Sequence, residues 1–336
     1  MSVVSVITRT KNRPLLLRRA LRSVLAQTFE DWTQVIINDG GDPALVEDVI
    51  APFRTRYGER LRLVHNPTSV GMEAASNLGL QASEGRYVVI HDDDDSWHPD
   101  FLARCVDHLA ACRVPSVRGV ITWAMVIHEQ VDGEYIIPVS ESSFNSWQRH
   151  LSLYRMAASN TFPPISFLYE RAVLEEIGGY RADLPVLGDW EFNLRFMARY
   201  DIDVIPIHLA FYHHRVGVRE GDLSNSVIGA SDDHAYQRVR LLNHLLRKEL
   251  SEGRFGIAAL GSLAHSFDIL HQTDNEFRGR FDTLAAALTE KRGWFRWVSE
   301  GVPQPERNIL RRLYHGLIPV RLRLFLRDVR VRLLRR

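Results

Sequence analysis

Asp92-Asp93-Asp94-Asp95 is the segment of this 336-residue chain that most plainly invites chemistry. Four successive carboxylates repel one another and add nothing to a core. The run is therefore either a solvated turn or a place where a cation is wanted. It follows Arg86-Tyr-Val-Val-Ile-His, an apolar run suited to a buried parallel strand, and it precedes Ser-Trp-His-Pro, which favours the second reading. Hard divalent cations take oxygen ligands, and Mg2+ binds one or two carboxylates together with substrate phosphates. The spacings of a calcium loop and of a zinc site are both absent. The quartet predicts nucleotide binding assisted by Mn2+ or Mg2+.

Such a cluster needs a frame that holds it at one edge. Val3 to Thr8 is a short β-branched run that reads as a first strand and not as a signal peptide. Pro14 opens a helical pattern with Leu17, Leu21, Val24 and Leu25 on one face. Val35 to Gly41 reads as a second strand ending in a turn, Ala44 to Tyr57 as a helix, and Leu61 to His65 as a third strand. Ala74 to Ala82 is helical, Arg86 to His91 is the fourth strand, and Pro99 suits the first turn of a helix reaching Ala111. Strands alternating with helices at this spacing imply an α/β layered domain with a mainly parallel sheet. Ligands bind outside the carboxyl ends of such strands, and Thr8, Asp39 and Asp92 to Asp95 all fall there.

Further along, Val117 to Val139 is strand-like with a hairpin at Asp132-Gly133. Ile165 to Tyr169 is a strand, Arg171 to Ile177 a helix, Asp189 to Tyr200 a helix, and Asp203 to Ile207 a late strand. Beyond Asp222 the strand signals fade, and Ser231 to Leu250 and Gly256 to Leu270 read as helices. Cys105 and Cys112 are too few for a disulfide framework and read as reduced core residues. No stretch approaches the roughly 18 apolar residues of a membrane span, so a cytoplasmic location is expected.

The ordered series of motifs resembles the family 2 glycosyltransferases. It runs through Val3-Ser-Val-Ile-Thr-Arg-Thr-Lys-Asn-Arg, Arg18 to Thr28, Ile36-Ile-Asn-Asp-Gly-Gly, Gly71-Met-Glu-Ala-Ala-Ser-Asn-Leu-Gly-Leu, Gly85 to Trp97, Gly178-Gly-Tyr and Leu187-Gly-Asp-Trp-Glu-Phe-Asn-Leu-Arg. The resemblance implies a GT-A fold, a nucleoside-diphosphate sugar donor (UDP or dTDP) and inversion at the anomeric carbon. It puts Asp39 against the nucleobase, with Thr8, Arg9 and Asn12 on the first loop and Gly71 and Asn77 on the same donor side. It puts the metal on Asp94 and Asp92, with Asp93 and Asp95 holding the donor sugar or the local structure. It makes Asp189 the catalytic base, a residue whose position also suits a plain helix cap. Gly188 stands where the family usually has an acid, which leaves Glu191 as a rival base. His214 and Arg215, taken to follow the late strand, would add a phosphate or metal contact or serve structure. Trp97 and Trp190 would stack on sugars or pack in the core.

The implied domains are a catalytic region over 1–220, a helical region over 221–304 and a basic tail over 305–336. That tail carries ten arginines against Glu306 and Asp328, a local +8 in a chain of net charge +1. As a helix, its Leu322, Phe325, Leu326, Val329 and Leu333 form an apolar stripe. This suits docking at the inner face of an anionic membrane and a glycan or lipid-linked acceptor, or packing on the protein itself. Nucleic acid is not an expected partner. A sugar-phosphate nucleotidyltransferase would open with a glycine-rich loop that Val3 to Arg13 lacks. A non-catalytic membrane-docked scaffold on the same fold is the remaining alternative.

Overall fold

β1 (Val4–Thr10), β2 (Trp32–Asp39), β3 (Leu61–Asn66) and β4 (Tyr87–Ile90) lie parallel, with Ile7 beside Ile90 and Thr10 beside Asn38. Their carboxyl ends therefore meet at one edge. β8 (Phe167–Glu170) joins the sheet antiparallel to β4 and to β6 (Val117–Asp132), and β6 runs parallel to β9 (Asp201–Arg215). β7 (Tyr135–Ser143) folds back on β6 as a hairpin, and the two-residue β5 (Ser96–Trp97) pairs antiparallel with β9. The order is β3-β2-β1-β4-β8-β6-β9-β5, and β1, β2, β3, β4, β6 and β9 run one way. This is the mainly parallel α/β architecture of a GT-A fold.

Helices cover both faces of the sheet. α1 (Pro14–Leu25) buries Leu16, Leu17, Ala20, Leu21 and Val24. Together with α2 (Pro43–Ile50) and α5 (Phe101–Ala111) it packs on the face that carries Val4, Val6, Ile36 and Val89. Full burial of one such side chain contributes about 1.5–3 kcal/mol. The opposite face of β2, Val35 and Ile37, meets Ala75 of α4 (Met72–Gln81). The helix expected over Ala44 to Tyr57 is broken. α2 ends at Ile50, a 3-10 turn spans Ala51–Phe53, and α3 (Arg54–Tyr57) follows. Pro52 has no N–H to continue the α ladder. α6 (Leu153–Ala158), α7 (Val173–Ile177), α8 (Gly188–Met197) and α9 (Ser231–Ser251) complete the helices.

The computed structural model describes residues 2–133, 135–218, 221, 223 and 231–254, with Leu263, His265, Phe267, Asp274, Glu276 and Gly279 beyond them. Of the helix expected from Gly256 to Leu270 only Leu263, His265 and Phe267 are described, each helical, and the basic tail over 305–336 and the expected boundaries at 220 and 304 lie outside the described residues. The chain divides into two compact units, Met1–Asn243 and His244–Arg336, and the site lies in the first. Among the described residues no helix is long and apolar enough to cross a membrane. Cys105 is buried and both cysteines are free.

Two expectations about the sheet change. The late strand does not stop at Ile207 but runs to Arg215, because β6 continues as its partner as far as Glu129. His213, His214 and Arg215 are therefore strand residues of alternating direction. His213 and Arg215 are buried, while His214 reaches a cavity on the other side. Trp97 and Trp190 are also core residues, 4% and 1% exposed, donating their indole N–H to the Ile165 and Met156 carbonyls at 2.7 and 2.6 Å. Neither is available to stack on a sugar.

Candidate active site

A cavity of about 580 Å³ opens at the carboxyl edge of the sheet, within the size range of small-molecule sites. Arg9, Asp39, Gly71, Asp92, Asp93, Asp94, Asp189 and His214 line it. Phe144, Phe162, Pro163, Pro164, Val186, Leu187 and Tyr212 give it an apolar wall.

The aspartate quartet is not a solvated turn. Asp93 and Asp95 are 3% and 1% exposed, and arginines from distant parts of the chain offset the charge. Arg9 donates from Nε to Asp92 at 3.0 Å and again from Nη2, and Arg13 reaches Asp93 at 3.2 Å. Arg215, fully buried in β9, donates to Asp94 Oδ2 at 2.6 Å. Behind these pairs, the buried Glu129 accepts from Arg19 at 2.7 and 3.1 Å and from His213 Nδ1 at 2.8 Å. Arg19 also donates to the Asp94 backbone carbonyl. Asp95 accepts the His213 N–H at 2.9 Å and so ties the quartet to β9.

These surroundings sort the quartet by charge. Burial pushes Asp93 up to about 6, against the pull of Arg13. Burial and the Asp94 charge hold Asp95 well above the ordinary carboxylate range. Burial would raise Asp94 too, but Arg215 and Arg13 outweigh it and keep Asp94 below the ordinary value. Asp94 is thus the carboxylate held ionised. The set suits a hard divalent cation, because its donors are carboxylate oxygens and Asp93 Oδ2 is buried without a hydrogen-bond partner. No group of three or more acids, histidines or cysteines among the described residues is arranged to cage a cation alone.

Asp39 is bound differently. Its Oδ1 accepts from Asn66 Nδ2 and the Val70 N–H, both at 2.9 Å, and its Oδ2 from Ser69 Oγ at 2.8 Å and the Gly71 N–H at 3.0 Å. Burial would raise it, but these four bonds win and lower it. Four bonds fill a carboxylate's acceptor capacity. Asp39 therefore orders the 66–71 loop at the cavity rim while itself lining the cavity. Gly71, at φ 92, takes a backbone turn that side chains rarely adopt.

Asp189 sits within the first turn of α8 and is not its cap. The N-cap is Leu187, left-handed at φ 68 and without a side-chain cap hydrogen bond. A left-handed conformation costs a non-glycine residue roughly 1–2 kcal/mol and is tolerated where the surroundings over-determine it. Asn160 Nδ2 donates to Asp189 Oδ2 at 2.7 Å. Burial and the Asp92 charge raise Asp189 above the ordinary carboxylate range, with the Trp190 N–H, Arg9 and Asn160 pulling only part of the way back.

Several expected site residues lie elsewhere. Thr8 is buried within β1 and accepts from Gln34 at 2.8 Å, because the strand runs on to Thr10, which lines the cavity in its place. Asn12 accepts the Asp42 N–H at 2.9 Å and pins the first loop. Asn77 donates to the Tyr180 carbonyl at 2.7 Å and accepts the Tyr180 N–H at 2.8 Å, so it holds that loop and not the donor. Glu191 is 3% exposed and gripped by Arg195 at 2.8, 2.9 and 2.7 Å, facing away from the cavity. It is no rival base. Arg215 acts behind Asp94 and does not line the cavity.

Sequence reasoning missed Arg13, Asn160, Tyr180 and Glu73, all in the cavity wall. Glu73 is 6% exposed and its carboxyl packs against Gly188. A Cβ on Gly188 would lie 2.2 Å from Glu73 Cδ, so the glycine at 188 makes room for this acid.

The sequence model described as Glycosyl transferase family 2 matches residues 5–178. A PGL/p-HBAD biosynthesis glycosyltransferase of Mycobacterium bovis (strain BCG / Pasteur 1173P2) is 27% identical over 228 residues, 67% of this chain and 80% of that protein. The uncharacterized glycosyltransferase YwdF of Bacillus subtilis (strain 168) is 25% identical over 211 residues, 62% of this chain and 73% of that protein. Among solved structures, S. aureus TarS 1-349 has a TM-score of 0.49 and 16% identity, covering 63% of this chain and 60% of that one. The mannosyltransferase PcManGT of Pyrobaculum calidifontis, in complex with GDP-Man and Mn2+, has a TM-score of 0.49 and 21% identity, covering 76% of this chain and 65% of that one. This chain thus spans 60% and 65% of the length of these two solved chains. The family match takes in more than half of the residues, and the chain belongs to glycosyl transferase family 2.

Proposed function

We propose that this protein is an inverting glycosyltransferase, moving a sugar from UDP or dTDP to a hydroxyl of a glycan or lipid-linked acceptor in surface polysaccharide synthesis. One observation carries the reading. An ionised carboxylate, Asp94, and a desolvated one, Asp189, line the same cavity from different elements.

In this reading Asp189 is the general base. Its raised proton affinity brings it nearer to that of the acceptor proton in the transition state, and Asn160 fixes its orientation. Asp94, seconded by Asp92, would hold Mn2+ or Mg2+, which when bound offsets the charge on the leaving diphosphate. Arg9 and Arg13, held at the cavity wall by their own acids, add positive charge on that side. The base of the nucleotide meets the 66–71 loop that Asp39 orders. The apolar wall from Phe144 to Tyr212 excludes water beside the reacting carbon.

A thermal-shift screen of nucleoside diphosphates, each with and without Mn2+ or Mg2+, tests this, followed by hydrolysis of the matching sugar donors. UDP or dTDP with metal is expected to raise the unfolding midpoint well beyond either component alone. No response to any nucleotide–metal pair would contradict the reading.

The tail over 305–336 fits the same picture as an anchor on the cytoplasmic face of an anionic membrane, where each basic residue near the surface contributes about 1 kcal/mol. Flotation with anionic liposomes should fall when residues 305–336 are removed. Equal flotation of both proteins would end that part of the reading.

A further inference from the structure

Glu73 lines the cavity, yet the chemistry above gives it no task. It stands in the first turn of α4, almost fully buried, and its carboxyl crosses to α8 and packs against Gly188, whose N–H favours its charged form. The approach is close enough to dictate residue types on both sides. An ideal Cβ on Gly188 would fall 2.2 Å from Glu73 Cδ and 2.4 Å from its Oε1. Gly188 is not among the positive-φ positions, so its backbone would accept a side chain; the space would not.

The first N–H groups of a helix have no partner within it and are ordinarily served by a Ser, Thr, Asp or Asn at the N-cap. At α8 the N-cap is Leu187, which has no side-chain acceptor and takes a left-handed turn. A carboxyl arrives instead from another helix, in contact with Gly188. A carboxyl there also suits the positive end of the α8 dipole, and the nearby Arg9 offsets its charge. The next residue after Gly188 is Asp189.

We propose that Glu73 is a positioning residue for the transfer step: it caps α8 from α4, holds the Leu187–Gly188 turn in its course and so fixes the Asp189 carboxyl at the cavity. The proposal rests on Asp189 being the base. The neutral and the ionised carboxyl both offer an oxygen to the N–H, so the amide of Glu73→Gln serves equally well.

The experiment follows amide hydrogen exchange in the first turn of α8, together with nucleoside diphosphate release from UDP-glucose and dTDP-glucose with Mn2+. Glu73→Ala should speed exchange of the Gly188 amide at least tenfold or so, as expected when a local hydrogen bond is lost. It should slow turnover by roughly 10–100-fold, the usual effect of removing a group that orients a site residue. Binding of the nucleoside diphosphate with Mn2+ should change by no more than about threefold, and Glu73→Gln should keep protection and turnover. Gly188→Ala should lower the unfolding midpoint, and adding Glu73→Ala should recover part of it. Unchanged exchange at Gly188 in Glu73→Ala, or equal losses in the Gln and Ala variants, would overturn the proposal, and the exchange result decides even where neither sugar is turned over. Asp189→Asn serves as the control. Full turnover in that variant would remove the base assignment while leaving the exchange result to judge the cap.

Discussion

Asp39 and Asp189 are carboxylates on the walls of one cavity, and their surroundings drive their proton affinities apart. Asp39, at the end of β2, accepts four hydrogen bonds and is lowered. Asp189, at the start of α8, is raised by burial and by the charge of Asp92, with too few donors to compensate. Donors in plenty keep a carboxylate charged and make it a structural fixture. Their scarcity makes a carboxylate hold a proton. The quartet repeats the contrast over four residues, with Asp94 kept ionised by arginines and Asp93 and Asp95 pushed up.

The comparison breaks first at its reactive end. Asp189→Asn should cut turnover by about 10³-fold, within the range that general base catalysis supplies, as measured by nucleoside diphosphate release in the presence of acceptor. Next comes Asp94→Asn, which should weaken metal-dependent nucleotide binding by about 10–100-fold when followed by calorimetry.

The pH profile sharpens the same point. Asp189 must be ionised to accept a proton and its affinity is raised, so kcat/KM should fall with decreasing pH at a higher pH than an ordinary carboxylate would give. A limb centred near the ordinary value of about 4 would mean that the environment described here does not govern the base.

Stability carries the smaller effects. Asp39 is lowered on folding, so its contribution is fully present above about pH 4 and is lost as the pH drops through its folded value. Asp39→Asn should remove this and cost about 1–3 kcal/mol at neutral pH by denaturant unfolding. Glu73 has the opposite sign. Raised to about 7, chiefly by burial, it contributes stability below its unfolded value of about 4.3 and loses it as the pH rises through 7. Glu73→Gln should flatten that decline.

Much of the donor side was readable from the sequence, because local signals sufficed there. Apolar runs ending in Asp39 and in the quartet identify strands whose carboxyl ends must meet. Asp94 and Asp189 both reach the cavity, as the family resemblance implied. The misses have physical causes. Thr8 fails because the strand runs two residues further, and alternation then turns Thr8 into the sheet packing. The placing of Arg215 within a strand is invisible locally, because nothing in the sequence shows how far β6 extends as a partner. Glu73 left no signal at all, since an acid in a helix's first turn is ordinary dipole complementarity until the fold brings Gly188 against it. Arg13 and Arg19 look like routine surface cations of an amphipathic helix start, and only the fold supplies their acids.

In the proposed reaction the labour is divided: Asp94 would hold the metal and diphosphate, and Asp189 would react. Calorimetric titration of UDP or dTDP in the presence of Mn2+ into Asp189→Asn and Asp94→Asn, side by side, tests it most directly. Asp189→Asn should bind within about threefold of the unaltered protein, and Asp94→Asn should lose most of the metal-dependent affinity. Equal loss in both variants, or full metal-dependent binding in Asp94→Asn, would contradict the account.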